Sequence, residues 1–396
     1  MTRLFAILLG LALLAFGPVA HAGTRVFSAN LNYLGKFSAP TGTSTCNGAG
    51  TGFDYPGMGL AYNAANNSLI ATSRWDRRCA AEFSIPALNG TGTFLQAFSD
   101  LSNGTAGSIP NCANEIRAGG YLLHNGSLFA TYWSYYCNDA NGGGIYKHSQ
   151  TLSSTAGLTG PTNINSGNQR MYAGYMDNVP AAWQSALGGP AVIGQCCLAQ
   201  IATTSYGPSL WAFNPDSLGA ATALVYYPDG NQTLRNWSDT TANPLINQST
   251  TIGGVTFIDG TDTVMFVGTT GTGAYCYGAG DTCGDLTFPG DQGVHNYPYI
   301  HYAWLYDVDD LAAAKAGSVN AWDVIPYAHF ELTGLGSVGD RYSITGVAYD
   351  ATNNKLYIGR ARDMAGSTGL TIHVYQITGL GGGLLPGPSN FRRIPQ

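Results

Sequence analysis

Hydrophobic and polar residues follow one recurring pattern along the chain. The pattern starts at glycine, runs through a few apolar residues, turns at Asn, Asp or Gly, and continues into a second apolar run. Two short apolar runs separated by such turn residues are typical of a β-hairpin. Clear copies of the hairpin pattern occupy residues 57–74, 119–133, 253–270 and 344–362, and a degenerate copy occupies residues 191–204.

Each hairpin is followed by further strand-like segments. Candidates for a third strand are residues 80–90, 144–152, 209–218, 302–311 and 371–380. Candidates for a fourth strand are residues 91–98, 222–228 and 325–332, whereas the second unit has no clear fourth strand. The fifth unit ends after its third strand, but the strand-like residues 24–37 can complete it. The sequence therefore predicts five four-stranded units, the last one shared between the two ends of the chain.

This arrangement resembles the β-propeller superfamily over essentially the whole chain after residue 22. The resemblance implies an all-β fold in which four-stranded blades pack radially and a strand from the N-terminus closes the ring. We predict five blades. Six or seven are the alternative if residues 160–190 or 271–300 contain a further blade, and a β-sandwich with long insertions is the competing fold. Helices are expected only at residues 178–187 and 309–317.

The first residues have the pattern of an export signal. Arg3 precedes the apolar run Leu4–Phe16, and Ala20, His21 and Ala22 form an A-x-A cleavage site. We therefore predict a signal peptide at residues 1–22, one propeller domain at residues 23–382 and a C-terminal tail at residues 383–396. The expected location is outside the cytoplasm of a bacterium, in the periplasm or secreted, with no membrane span.

Charge and composition exclude some partners. Charged residues make up 10% of the 396 residues, and the formal net charge is −6. Because phosphate contacts need a clear basic excess, we expect no nucleic-acid partner. No Walker, dinucleotide, G-x-S-x-G or H-E-x-x-H motif occurs, and we expect no cofactor and no metal ion. We also expect a monomer.

The eight cysteines predict disulfides, as is usual for an exported chain. Within the hairpin units they pair as Cys46–Cys79, Cys112–Cys137 and Cys276–Cys283. The remaining two, Cys196 and Cys197, are adjacent in sequence. They form either a vicinal disulfide or two separate thiols, one of them buried by the alternation of a strand.

Arginine is concentrated on one face of the predicted propeller. If the strands of a blade are labelled A to D from the axis outward, the D–A and B–C connections emerge together on one face. The four lysines, Lys36, Lys147, Lys315 and Lys355, fall in strands or on the other side. The arginines fall on the first face together with Trp75 and Tyr135, and we predict that they bind an anionic ligand: Arg74, Arg77, Arg78, Arg117, Arg170, Arg341, Arg360 and Arg362.

Guanidinium groups suit carboxylate, sulfate or phosphate. The alternative is that these arginines pair with local acids and brace the loops. The acidic residues assigned to the same face are Asp54, Asp76, Glu115, Asp177, Asp239, Asp340 and Asp363.

Three functions are compatible with such a face. The first is an enzyme that cleaves an anionic polysaccharide by β-elimination, with Arg117 and Arg170 as carboxylate clamps and His295, His301 and Tyr172 for proton transfer. The second is a glycosidase, which needs two carboxylates at a defined separation. The third is a non-catalytic module that binds glycans or proteins at the cell surface. Because the loops differ between units, one central site and hence an enzyme is favoured, with an anionic small molecule or polysaccharide as ligand.

Overall fold

Five antiparallel four-stranded sheets follow one another along the chain and confirm the predicted five-bladed β-propeller. The computed structural model describes residues 23–110, 115–135, 141–165, 167–197, 204–339, 341–361 and 369–380. The predicted signal peptide and nearly all of the predicted tail lie outside these ranges, so the proposed domain boundaries stay predictions.

The strands are numbered here in chain order. The chain begins with β1 (Leu31–Ser38) and a small hairpin of β2 (Ser44–Cys46) and β3 (Ala49–Thr51). Blade 1 consists of β4 (Leu60–Asn63), β5 (Ser68–Thr72), β6 (Ala80–Ser84) and β7 (Phe94–Ser99). Blade 2 consists of β8 (Ile116–His124), β9 (Ser127–Ser134), β10 (Gly143–Ser149) and β11 (Thr159–Thr162). Blade 3 consists of β12 (Met176–Asn178), β13 (Ala191–Ile193), β14 (Leu210–Phe213) and β15 (Ala221–Val225).

Blade 4 carries an insertion between its second and third strands. The blade consists of β16 (Thr251–Ile258), β17 (Thr263–Gly271), β20 (Tyr299–Asp307) and β21 (Ala328–Glu331). The insertion forms its own two-stranded sheet of β18 (Cys276–Ala279) and β19 (Gln292–His295). Blade 5 consists of β22 (Ile344–Asp350), β23 (Lys355–Arg360), β24 (Thr371–Ile377) and the N-terminal β1.

The ring closes as the sequence predicts. β1 pairs antiparallel with β24, from Leu31 opposite Ile377 to Ser38 opposite Thr371. The last blade is therefore built from both ends of the described chain, and this pairing closes the ring.

Helices are few, as expected. α1 (Gln184–Leu187) lies within the first predicted helical segment, and α2 (Val308–Lys315) overlaps the second and begins one residue before it. Short 3-10 turns occur at Ser28–Asn30, Thr105–Ser108 and Gln169–Tyr172. No helix among the described residues is long and apolar enough to cross a membrane.

The third blade differs from the prediction. Residues 191–204 are not a hairpin of its first two strands, because β13 is already the second strand and β12 is the first. The two strands are short and separated by residues 179–190, which contain Pro180 and α1. This long connection conceals the hairpin pattern that the other blades display.

The glycines near the start of the inner strands are required by close packing between neighbouring blades. A side chain at Gly119 would place its Cβ 1.9 Å from the carbonyl oxygen of Ala173, and one at Gly346 would lie 2.5 Å from the Cβ of Leu60. Neighbouring inner strands approach too closely there for any side chain. The cavity at this level is only about 10 Å³, so the middle of the axis is a constriction between its two ends.

Most of the core lies between adjacent blades. Trp304 and Phe266 of blade 4, for example, pack in one buried cluster with Leu210 and Tyr227 at blade 3. Two of the predicted disulfides, Cys46–Cys79 and Cys276–Cys283, are confirmed. The third, Cys112–Cys137, falls outside the described residues. Cys196 and Cys197 are bonded to each other, which settles the alternative left open by the sequence.

Candidate functional site

A cavity of about 240 Å³ opens on the propeller axis, on the face where the D–A and B–C connections emerge. We call it the axial mouth. All five blades contribute to its wall: Pro56, Gly57, Met58, Trp75, Glu115, Arg117, Ala118, Trp133, Tyr135, Cys197, Phe288, Asp291 and Tyr342. The cavity therefore combines aromatic and aliphatic surface with three charged side chains.

Two similar groups of side chains lie at the mouth and meet at its wall. In the first, Arg117 binds Glu115 (2.9 Å) and its guanidinium lies 3.9 Å from the centre of the Tyr135 ring. In the second, Arg341 binds Asp291 (2.9 Å) and lies 5.3 Å from the centre of the Tyr342 ring. The hydroxyl groups of Tyr135 and Tyr342 are 2.8 Å apart and join the two groups. Each carboxylate at the mouth is thus held by a guanidinium beside an aromatic ring.

Stacked rings and cations form one wall of the mouth and the layer behind it. Trp75 lies 4.8 Å from the guanidinium of Arg117, whose other ring contact is Tyr135. Behind them, the fully buried Arg170 lies 4.8 Å from the Trp133 ring. Burial lowers the pKa of Arg170 to about 10, so this side chain stays a cation at neutral pH. Cation–π contacts of this kind are strongest when desolvated, and they fix the orientation of both partners.

The predicted arginines occupy several distinct positions. Arg117 lines the mouth, with Arg170 and Arg341 buried directly behind its wall. Arg74 and Arg77 line a neighbouring groove. Arg78 donates to the carbonyl oxygen of Ile116 (3.2 Å), and the buried Arg360 donates to the carbonyl oxygen of Ser337. Arg362 lies outside the described residues. A role in ligand binding stays a prediction for all of them, and much of the local pairing follows the structural alternative.

Among the described residues, the arginines predicted for the site are separated from the lysines, although Arg25 pairs with Asp307 on the lysine side. Lys36, Lys147 and Lys355 lie in β1, β10 and β23, and Lys315 ends α2 on the opposite face. One acid was assigned to the wrong side, however. Asp177 lies in β12 and lines a cavity at the other end of the axis, because the first strand of blade 3 starts earlier than the sequence suggested.

His295 supports the mouth from outside it. Its Nδ1 bonds to Asp285 (2.8 Å) and its Nε2 to the carbonyl oxygen of Asp291 (3.1 Å). Burial opposes ionisation of Asp285, but hydrogen bonds from Thr287, Tyr299 and His295 outweigh it and lower its pKa. With both ring nitrogens engaged, His295 holds the insertion that carries Asp291.

The other two residues predicted for proton transfer lie elsewhere. His301 is buried between blades 4 and 5, where its Nε2 is 2.6 Å from the Ser343 hydroxyl. Burial, together with the nearby guanidinium of Arg360 and the imidazole of His373, lowers the pKa of His301 to about 3. Tyr172 packs against Trp211 (5.1 Å between ring centres) on the outer side of blades 2 and 3. The structure thus does not bring His295, His301 and Tyr172 together at the mouth, because each packs into a separate part of the scaffold.

Sequence reasoning did not point to the two residues that blade 4 contributes to the mouth. Asp291 and Phe288 sit in the blade 4 insertion, which the Cys276–Cys283 disulfide braces. The signal that could have pointed to them is the predicted Cys276–Cys283 disulfide, because it lies in the same connection between the second and third strands of blade 4. No group of three or more His, Cys, Asp or Glu suited to a metal ion occurs among the described residues.

Comparisons with known proteins add a weak resemblance in fold. No protein-family model and no curated protein sequence matches the chain. A thermostable family-43 glycoside hydrolase is similar at 12% identity, over 89% of this chain and 100% of that chain, with a TM-score of 0.39. The arabinanase Arb43A of Bacillus subtilis is similar at 10% identity, over 80% and 92%, with a TM-score of 0.41. A GH43 endo-arabinanase from Bacillus licheniformis is similar at 10% identity, over 82% and 94%, with a TM-score of 0.42. These similarities are too weak to transfer a function. The chain is a β-propeller, and its function has to be argued from the mouth itself.

Proposed function

We propose that the protein is an exported propeller that binds an acidic glycan at the axial mouth. The observation that carries the proposal is the composition of one cavity, which combines aromatic rings with Glu115, Arg117 and Asp291. Small-molecule sites typically pair apolar and aromatic walls with a few polar groups that fix orientation. A sugar ring presents C–H groups to an aromatic face and hydroxyl groups to carboxylates, so it matches both kinds of surface.

Arg117 is the side chain best placed to meet a negative charge. It lines the mouth, it is about one-fifth exposed, and its Nε has no hydrogen-bond partner among the described residues. Glu115 engages one of its terminal nitrogens. A ligand carboxylate can bind the remaining donors of the guanidinium, in the fork geometry that arginine favours.

The carboxylates complement that contact. Glu115 and Asp291 each accept a hydrogen bond from an arginine and can accept further ones from ligand hydroxyl groups. An acidic sugar supplies both the carboxylate for Arg117 and the hydroxyl groups for these two residues. This matching of charge and hydroxyl pattern is why an acidic glycan fits better than a neutral one.

Binding assays on matched variants test the proposal. Trp75→Ala is expected to weaken binding of an acidic oligosaccharide by about tenfold or more, because a central aromatic contact is lost. Its control is Trp322→Ala, a half-buried tryptophan on the opposite face. Titration calorimetry with uronate, sulfated and neutral oligosaccharides gives the measurement. If no oligosaccharide binds, or if the two variants lose affinity equally, the proposal is wrong.

Arg117→Gln separates acidic from neutral recognition. The variant is expected to bind neutral sugars as the wild type does and to lose the preference for acidic ones. Arg25→Gln is the control, because Arg25 pairs with Asp307 on the opposite side of the propeller. If Arg117→Gln keeps the preference for acidic sugars, a side chain other than Arg117 binds the negative charge of the ligand.

Hydrolysis of a glycosidic bond is the second candidate. It is favoured by one observation: two carboxylates, Glu115 and Asp291, line the same cavity, and glycosidases use such a pair. Both are ion-paired with arginine, so a substrate would have to displace one pair before either could act as a proton donor. Release of reducing ends by the wild type, lost in Glu115→Gln and Asp291→Asn while binding persists, would identify this activity.

β-Elimination, the reaction expected from the sequence, would need a different base from the histidines named for it. Tyr135 and Tyr342 are the candidates at the mouth. Burial raises the pKa of Tyr135, as does its contact with Tyr342, so its hydroxyl is a poor proton acceptor as it stands. Unsaturated products from an acidic polysaccharide, absent in Tyr135→Phe, would establish elimination in place of binding alone.

A further inference from the structure

A second depression adjoins the axial mouth. It lies between blade 1 and blade 5 and has a volume of about 680 Å³; we call it the lateral groove. Its walls are residues 38–41, residues 50–54, the arginines Arg74 and Arg77, and residues 369–371. This volume lies within the range of about 300–1,000 Å³ that is usual for ligand sites.

The groove and the mouth share one wall. Trp75 lines the mouth, whereas its chain neighbour Arg74 lines the groove. The wall is built from two paired segments, in which Arg74 donates its N–H to Gly52 (2.9 Å) and Trp75 donates to Tyr55 (3.0 Å). Tyr55 is 40% exposed, and the centre of its ring lies 5.9 Å from the guanidinium of Arg74. A chain-like ligand can therefore pass from the mouth to the groove across the ring of Tyr55.

The groove is held in a fixed shape. The Cys46–Cys79 disulfide ties the hairpin of β2 and β3 to the loop that carries Arg77. The side chain of Asn47 strengthens this link by donating to the carbonyl oxygen of Arg77 (2.8 Å). A braced site loses little freedom when it binds, and this favours affinity.

Two polar atoms on the groove wall have no hydrogen-bond partner among the described residues. Thr51 is 2% exposed, and its hydroxyl has no hydrogen-bond partner among the described residues. The same holds for the Nε of Arg77, whose ion pair with Asp76 spans 3.8 Å. Buried polar groups are normally hydrogen-bonded, so an unpartnered hydroxyl beside a cavity points to a ligand atom. Arg74, by contrast, is engaged by both Asp54 and Asp76.

We infer that the lateral groove binds the sugar residues that follow the one in the axial mouth. The inference rests on the proposed function, because it extends the same glycan site. Arg77 donates to a hydroxyl or carboxylate oxygen of the second or third residue, and Thr51 supplies a further hydrogen bond. Because Arg74 and Arg77 are balanced by Asp54 and Asp76, we expect the groove to recognise chain length more than net charge.

Oligosaccharides of increasing length test the inference. The probes are oligomers of one to six residues from whichever uronate, sulfated or neutral series the wild type binds. Affinity is expected to rise by about tenfold when the oligomer first reaches the groove, as one charge-assisted hydrogen bond is added. Arg77→Gln and the near-isosteric Thr51→Val should each lose part of this gain and leave monomer binding unchanged. Arg25→Gln is again the control, and the Tm of every variant is measured to verify folding.

The outcomes separate the two proposals. If affinity rises with oligomer length, and if Arg77→Gln or Thr51→Val reduces that rise, the groove inference is supported. If monomer and hexamer bind with equal affinity, or if the variants weaken the binding of both equally, the groove inference is wrong. The proposed glycan site at the axial mouth is unaffected by that result. Failure of every oligomer to bind overturns the proposed function, and the groove inference with it.

Discussion

The two ends of the propeller axis are built from the same inner strands and carry different chemistry. The axial mouth has a volume of about 240 Å³ and joins aromatic rings to paired carboxylates and arginines. The cavity at the other end has about 100 Å³ and is lined mainly by aliphatic and tyrosine side chains, with Asp177 as its acid. Asp177 has no ion-pair partner in the part of the chain that the structure describes.

The connections explain the difference. At the end opposite the mouth, most inner hairpins close in tight turns, at residues 64–67, 125–126, 259–262 and 351–354. At the mouth, the connections are longer and carry disulfides, as in residues 272–298. Strands of similar sequence thus set the position of the site, and the loops supply its chemistry.

The largest loss of stability is expected from adding a side chain at the constriction that separates the two ends of the axis. Gly119→Ala would place a methyl group against the carbonyl oxygen of Ala173, so we expect the free energy of unfolding to fall by about 3 kcal/mol. Gly107→Ala is the control, since that position has open space around its Cβ. Urea unfolding of both variants measures the difference, and equal stability would mean that the inner strands are not packed as described.

Breaking the partly buried ion pair between Arg341 and Asp291 should lower the free energy of unfolding somewhat less. Asp291→Asn leaves the buried guanidinium of Arg341 without its charged partner, and we expect a loss of about 2 kcal/mol. The value is below that of a fully buried pair, because Asp291 is partly exposed. A melting temperature equal to that of the wild type would show that Arg341 is held by its backbone contact with Val294 alone.

The contribution of Asp177, at the end of the axis opposite the mouth, to the stability of the fold should depend on pH. Burial, aided by the charge of Asp259, raises the pKa of Asp177 to about 7 in spite of hydrogen bonds from Phe257 and Asn178. The value in an unfolded chain is about 4, so the folded state binds more protons between these two pH values. The stability that the neutral carboxyl group contributes is complete below about pH 4 and is lost as the pH rises through about 7.

Asp177→Asn isolates this contribution from the other titrating groups. The wild type is expected to lose a few degrees of Tm relative to the variant between pH 4 and pH 7. Parallel Tm curves for the two proteins over that interval would contradict the raised pKa of this carboxyl group.

The smallest loss of stability is expected at an exposed ion pair of the lateral groove. Arg74 contacts Asp76 (2.9 Å) and Asp54 (3.4 Å), and its side chain is well exposed. Arg74→Gln should therefore change the free energy of unfolding by less than about 1 kcal/mol. A larger loss would place Arg74 among the groups that brace the fold, together with Arg341.

The blades were predictable because their signal is local. The glycine at the start of an inner strand, the alternation and the turn residues all lie within one hairpin, as in residues 119–133. Blade 3 was misplaced because residues 179–190 separate its first two strands. The position of Asp177 was wrong for the same reason.

The sequence predicted which face of the propeller carries the candidate site, but it did not predict which side chains line the cavity. Loop topology placed Trp75, Arg117 and Tyr135 on the correct side, and all three line the mouth. Which arginines face a cavity and which bind a carbonyl group depends on side-chain packing between blades, as Arg78 and Arg360 illustrate. The burial of His301 between blades 4 and 5 is likewise a property of tertiary packing that no local pattern carries.

A crystal structure of the protein with the tightest-binding oligosaccharide tests the central claim most directly. The account predicts a sugar ring in the axial mouth, with its face on Trp75 or Tyr135 and an acidic oxygen within hydrogen-bond distance of Arg117. The next residues should extend over Tyr55 toward Arg77. A bound sugar at the Asp177 end of the axis or on the outer blade surfaces, with none at the mouth, would contradict the account.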